Sequence, residues 1–421
     1  MFLNLLFVIF ISMFSFNAFS LSGENFEFHG YLRTGVGTNS KGGDQTCFNN
    51  PGAGSNEFRL GNECSTYGEM TFIGHHLKAK KANDSFFKTT VTLGYSTNGD
   101  TNWENLNGGN GFQLREAFIE GGNVDDSPLT YWAGNRFYRD NDVYMNDFYY
   151  FADASANGGG LGNIPLGKSK LALAFLKQTS SDDTDNGKVS LTLLDARLND
   201  IKITDKVSLK LWFGHAWTSE GIATADGKSL GDQSGQVAGA LFSRGLDGGF
   251  NHFAMIYGRG VMEDIHISFS PLEQGTNDHE YEKNKKRIRL VDHLTYRVSK
   301  KIGLHASATY ELRDNGEETN NKEVWYNVGV QPVYFFTEHK QIAAVLGYSS
   351  VDKDGVEDRR LFRFTIAPQI ALSNNVWARP VIRAFYTKTF WSRSNRGSIG
   401  SSAYSGETSG SNFGIQAEVF Y

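Results

Sequence analysis

FEFHGYLRTGV, residues Phe26 to Val36, reads with a period of two. Phe26, Phe28, Leu32 and Val36 fall on one face, and Glu27, His29, Tyr31 and Arg33 on the other. Successive side chains of an extended chain point to opposite sides, so this stretch is a strand with one apolar face. The alternation returns in Val207 to Phe213. It returns again in Leu361 to Ile366, where Phe362, Phe364 and Ile366 oppose Arg363 and Thr365. Near the end, Ile415, Ala417, Val419 and Tyr421 oppose Gln416, Glu418 and Phe420. Val376 to Tyr386 reads as a further strand, with Trp377, Arg379 and Arg383 on one face. Clusters such as Asn98-Gly99-Asp100, Asp185-Asn186-Gly187 and Asp314-Asn315-Gly316 supply turn chemistry between strands. No amphipathic helix, heptad array or Pro/Ser-rich linker interrupts the pattern. The expected fold is all-β: a single closed barrel, which leaves no strand edge exposed.

Composition narrows the class. The chain has 421 residues, 47 of them Gly, with 14% aromatics, 7 Pro and 2 Cys. The glycines have no triplet period, which excludes collagen. The aromatics are too many for a disordered chain, and two cysteines cannot staple a small secreted scaffold. A net charge of −5 with mixed signs gives no footprint for nucleic acid. Past the N-terminus no apolar run reaches the roughly 18 residues of a membrane helix. A membrane β-barrel stays open, because its strands are only half apolar. A soluble sandwich or propeller would show the same alternation. Two features favour the membrane barrel. The chain ends on Phe420-Tyr421 inside an alternating strand, and the second face of several strands carries charged and aromatic groups, as a water-filled lumen would.

Met1 to Ser20 reads MFLNLLFVIFISMFSFNAFS, an apolar core followed by small residues. This is the pattern of a cleaved secretory signal peptide, with residues 21–421 as one barrel, although no Lys or Arg precedes the core. A membrane-anchoring or buried helix is the other reading. Cys47 and Cys64 lie in a Gly/Asn/Ser-rich stretch, where export would let them pair. Two free buried thiols are the alternative.

Several strings carry a resemblance. They are Phe28-His29-Gly30-Tyr31-Leu32-Arg33, Phe58-Arg59-Leu60-Gly61-Asn62-Glu63-Cys64, Thr66-Tyr67-Gly68-Glu69 and Leu114-Arg115-Glu116-Ala117. With them stand Trp132 to Tyr138, Asp147-Phe148-Tyr149-Tyr150 and Val376 to Arg383. In this order and spacing the chain resembles the maltoporin family of sugar-specific outer-membrane porins, from about Phe26 to Tyr421. The resemblance implies an eighteen-stranded antiparallel barrel, assembled as a homotrimer, with long loops outside and short turns in the periplasm. It also implies a Cys47–Cys64 disulfide and an inward-folded constriction loop at about Asp140 to Gly160.

A sugar has apolar ring faces and a hydroxyl rim, so a selective channel needs stacked aromatics and ionised groups together. The family's aromatic path falls on Tyr31, Tyr67, Trp103, Phe250, Trp377 and Phe420, and its polar partners on Arg33, Arg59, Glu69, Arg115, Asp142, Asp147 and Tyr149. Interfacial belt aromatics and a structural charge ladder are the plainer readings. Three positions depart from the family pattern. Asp140 stands where an arginine is expected, beside Arg139; Ala152 replaces an aspartate; Phe420 replaces a tryptophan. No H-E-x-x-H, G-x-S-x-G or Walker A string occurs, and His75-His76 has no metal partners at ligand spacing. The expectation is passive diffusion of maltose and maltodextrins through an outer-membrane porin, without catalysis, cofactor or metal. A porin for sucrose or β-glucosides, a general porin, and a barrel enzyme or adhesin are the alternatives.

Overall fold

The computed structural model describes residues 25–54, 57–97, 112–179, 190–218, 221–222, 229–230, 233–265 and 283–421. Eighteen strands form the wall: β1 (Phe26–Asn39), β2 (Thr66–Leu77), β3 (Phe86–Thr97), β4 (Gln113–Gly122), β5 (Thr130–Arg136), β6 (Ala156–Leu166), β7 (Ser169–Thr179), β8 (Ser190–Lys202), β9 (Val207–Thr218), β10 (Ser234–Leu246), β11 (Gly249–Gly260), β12 (Lys286–Ser299), β13 (Ile302–Asp314), β14 (Lys322–Phe335), β15 (Lys340–Lys353), β16 (Arg359–Ala371), β17 (Val381–Trp391) and β18 (Ser409–Phe420). Each pairs antiparallel with the next, and β18 pairs back onto β1 with Tyr31 opposite Phe420. A closed ladder satisfies every backbone group within the wall, which is what hydrocarbon demands of a β-structure. Long connections gather at one end. At the other, turns are as short as Gly167–Lys168.

The faces of the wall decide between a membrane barrel and a soluble sandwich. Phe362, Ile370, Ile382, Tyr386, Phe390, Phe413 and Ile415 are exposed on the outside. Arg363, Thr365, Arg383, Thr387, Gln416 and Glu418 are buried inside. A soluble protein has the opposite arrangement; an apolar exterior around a polar lumen is the arrangement of a barrel in lipid.

Two boundaries differ from the sequence reading. The strand expected from Val376 starts at Val381, because Pro380 has no N–H to give a ladder. Trp377 and Arg379 therefore sit in the turn before it. The segment expected as a loop to Gly160 ends earlier, since Ala156 already pairs in the wall with Arg136.

Apolar residues inside the barrel gather beneath the connections. Phe58, Leu60 and Met145 pack on Val333, Phe335, Val345 and Phe385 of the wall. Phe58, at φ 53°, lies over Gly329 and Gly347, where any Cβ would strike its ring. Its backbone N–H donates to Asn146 Oδ1 at 3.1 Å, and Arg59 N–H donates to the Met145 carbonyl at 2.8 Å. The connection after β1 and the one after β5 are thus pinned to each other and to the wall. That pinning places Arg59 and Tyr144.

Candidate functional site: the lumen lining

The register of β1 builds the first part of the lining. Tyr31 lies opposite Glu69 and Arg33 opposite Tyr67, so Tyr31 and Tyr67 are diagonal neighbours with ring centres 6.1 Å apart. On the other side of β1, Phe420 is directly opposite Tyr31, at 5.3 Å. The Arg379 guanidinium lies 5.8 Å from the Phe420 ring centre and 5.3 Å from that of Tyr144. Tyr144 meets Trp377 edge-on at 5.2 Å, and Trp377 meets His305 at 4.7 Å. Tyr67, Tyr31, Phe420, Tyr144 and Trp377 thus form a row, with one guanidinium bridging its middle. Phe250 stands apart from the tyrosines. It stacks on His252 at 4.5 Å and meets His293 at 5.4 Å, and it shares with Trp377 a cavity of about 300 Å³ also lined by Arg297 and Phe335.

Charged groups lie behind the row. Glu418 on β18 accepts from Arg383 Nη2 at 2.6 Å, Arg379 Nε at 2.9 Å, Tyr144 Oη at 3.2 Å, Tyr31 Oη at 3.3 Å and Arg59 Nη2 at 3.4 Å. Glu63 accepts from Arg59 Nε at 2.8 Å and from Arg33. The four arginine side chains are at most 7% exposed. Hydrogen bonds between ionised groups are the strong ones, so this network fixes the guanidinium planes. Asp147 approaches Arg59 at 3.6 Å and stays 41% exposed. Tyr67 donates its hydroxyl hydrogen to Glu69, and Arg115 packs over Phe137 at 5.0 Å. In the connection below, Glu57 is fully buried, and that burial pushes its carboxyl above the ordinary range.

The connection after β5 reaches several walls. Its Arg139–Val143 and Phe148–Asp153 segments pair with each other, Asp142 opposite Tyr149. Asp140 forms an ion pair with Lys210 on β9, and Asn141 bonds His252 on β11 at 3.2 Å. Asn146 reaches Asn327 on β14 at 3.5 Å. Cys47 and Cys64 are bonded, Cα to Cα 5.8 Å.

Of the expected residues, Tyr31, Tyr67, Trp377, Phe420, Arg33, Arg59, Glu69 and Asp147 come together. Phe250 meets only the Trp377 end of the row, through the shared cavity, while Arg115 lies near Tyr67 and Asp142 near Asp147 and Arg59. Trp103 falls outside the described residues, and Tyr149 is placed only by its backbone pairing. Sequence reading missed Tyr144, Glu63 and the convergence on Glu418. Glu418 carried a signal, since it shares the polar face with Phe420 and Gln416. Glu63 carried one too, inside the Phe58 to Cys64 string. Tyr144 carried none, because a loop has no period.

An apolar outer belt, a closed wall and a charged lumen define an outer-membrane β-barrel. The chain belongs to the LamB porin family, which it matches over residues 26–421. Among solved structures it is similar to Acinetobacter baumannii OccAB1, at 11% identity and TM-score 0.49, covering 96% of this chain and 98% of that one. It is also similar to Pseudomonas aeruginosa OccD3 (OpdP), at 10% identity and TM-score 0.49, covering 94% and 91%. OmpT of Vibrio cholerae matches at 9% identity and TM-score 0.39, covering 94% and 97%.

Proposed function

We propose that this porin carries maltose and maltodextrins by facilitated diffusion. The observation behind the reading is the aromatic row of Tyr67, Tyr31, Phe420, Tyr144 and Trp377 backed by fixed guanidinium groups. Ring faces of the sugar slide along the exposed rings of the row, with Tyr144 held behind them, while hydroxyls exchange with the ionised groups that stay accessible, such as Asp147. Each contact is modest, which lets the sugar leave as readily as it enters. The connection between β5 and β6 narrows the lumen, the porin assembles as a homotrimer in which Trp103, outside the described residues, adds a ring to the sugar path, and residues 1–20 are removed on export. Tyr149 and Asp142 complete the hydroxyl partners.

Current block in a planar bilayer tests this. Maltodextrin should block ion current in a saturable way, and Tyr67→Ala and Trp377→Ala should each raise the half-blocking concentration about fivefold, for roughly 1 kcal/mol per stacked ring. Unaltered half-blocking concentrations in both variants would sink the stacking path. Asp140 and Ala152 favour a second reading, in which sucrose or a β-glucoside is preferred; block by those sugars in the same bilayer ranks the two.

A further inference from the structure

We propose that Lys210 and Asp140 form a solute-binding pair that sets which sugar passes. This rests on the sugar-porin reading. The ion pairs behind the aromatic row are closed to a solute. Arg33, Arg59, Arg379 and Arg383 are at most 7% exposed and are held by Glu63 and Glu418. The Lys210–Asp140 pair is different, with side chains 25% and 27% exposed. It joins the wall at β9 to the segment Arg139–Val143.

Local backbone geometry builds the pair. Asn141 has φ 56°, in the left-handed region that asparagine tolerates, and the ladder slips between Asp140 and Asp142. The bulge separates the two carboxylates, one to Lys210 and one left exposed. The Asn141 side chain bonds His252 at 3.2 Å, so the segment is tied to β11 one residue from the ion pair. The pair is therefore fixed and still reachable from the lumen.

Its chemistry suits a neutral polyol. The lysine ammonium only donates and the carboxylate only accepts. A vicinal diol does both, so one hydroxyl can donate to Asp140 while its neighbour accepts from Lys210. The two charges cancel, and a free ion gains little from the pair as a whole.

The double variant D140N/K210Q keeps a hydrogen-bonded clasp and the same net charge, but removes both ionised groups. A pair that only fastens the segment would leave sugar block as it is. The solute-binding pair predicts a half-blocking concentration for maltodextrin raised about tenfold, equivalent to about 1.4 kcal/mol, with the cation/anion permeability ratio close to wild type. K210Q alone should weaken block and shift permeability toward cations, and D140N alone should shift it toward anions. Block of the wild type that D140N/K210Q leaves unaltered overturns the pair alone. Absence of sugar block in the wild type overturns the sugar-porin reading together with it. Should the double variant fail to assemble, K210Q carries the test, and wild-type block with a wild-type permeability ratio overturns the proposal.

Discussion

Glu418→Gln is the sharpest perturbation the lumen offers. The carboxylate is 1% exposed and accepts from three guanidinium groups and two phenols. The amide keeps the size and one accepting oxygen but removes the charge. Arg59 retains Glu63 at 2.8 Å, whereas Arg379 and Arg383 keep no carboxylate partner among the described residues. Removing one member of a buried ion pair costs about 3–5 kcal/mol, because the partner is left uncompensated. The lumen's residual water and the retained acceptor place this case near the lower end, about 3 kcal/mol by the same comparison. Guanidinium unfolding of the barrel in lipid vesicles should show that loss. The freed positive charge should also move the reversal potential in a salt gradient toward anion selectivity. Block by maltodextrin should weaken as well, since Tyr31 and Tyr144 lose the group that orients their hydroxyls. Wild-type stability together with a wild-type reversal potential would refute the idea that Glu418 organises this lining.

The other predictions address separate parts of the molecule. Thiol alkylation under non-reducing denaturation should label neither Cys47 nor Cys64, and Cys47→Ser should cost roughly 3 kcal/mol if loop entropy governs. Phe58→Ala empties the position over Gly329 and Gly347 and should cost about 3–5 kcal/mol, read by the same vesicle titration. It should also raise current noise, because Arg59 and Tyr144 are placed through the same packing. Trp103→Ala should weaken sugar block several-fold while leaving heat-resistant trimers on a gel; a sugar-binding monomer would reject its part in the homotrimer's sugar path. Tyr67→Ala and Trp377→Ala should leave ion conductance similar or slightly raised, which lipid-facing anchors would not do.

How far the sequence could be read follows the physics of each part. Strands such as β1, β16 and β18 were legible, since burial on one face writes a period of two into the residues. The direction of burial was legible less directly, because lipid outside and solvent outside leave the same alternation. The charged second face and the closing Phe420-Tyr421 pointed to a lumen, and the positions of Arg363 and Phe362 in the closed wall agree. The reading of Val376 to Tyr386 ran across Pro380, where alternation continues but the ladder cannot. Glu69 and Tyr31 were legible as lumen groups; the joining of Arg59, Arg379 and Arg383 at one carboxylate was not. Arg379 and Arg383 share a face by alternation, but Arg59 comes from a distant loop and no spacing links it to them. Lys210 looks like any lumen lysine until the bulge at Asn141 brings Asp140 to it.

Phe58 rests on glycines of β14 and β15, and Arg59 reaches a glutamate on the strand that closes the ring. Contacts so distant along the chain form late, since loop closure must precede them. The first loop therefore has no resting place until the final strands arrive. An unfinished wall holds neither the socket nor the carboxylate, so the ordering of the lining is acquired in the same step as closure. Closing the ring and furnishing its interior are one event, and a barrel short of its last strand would have an unset lumen.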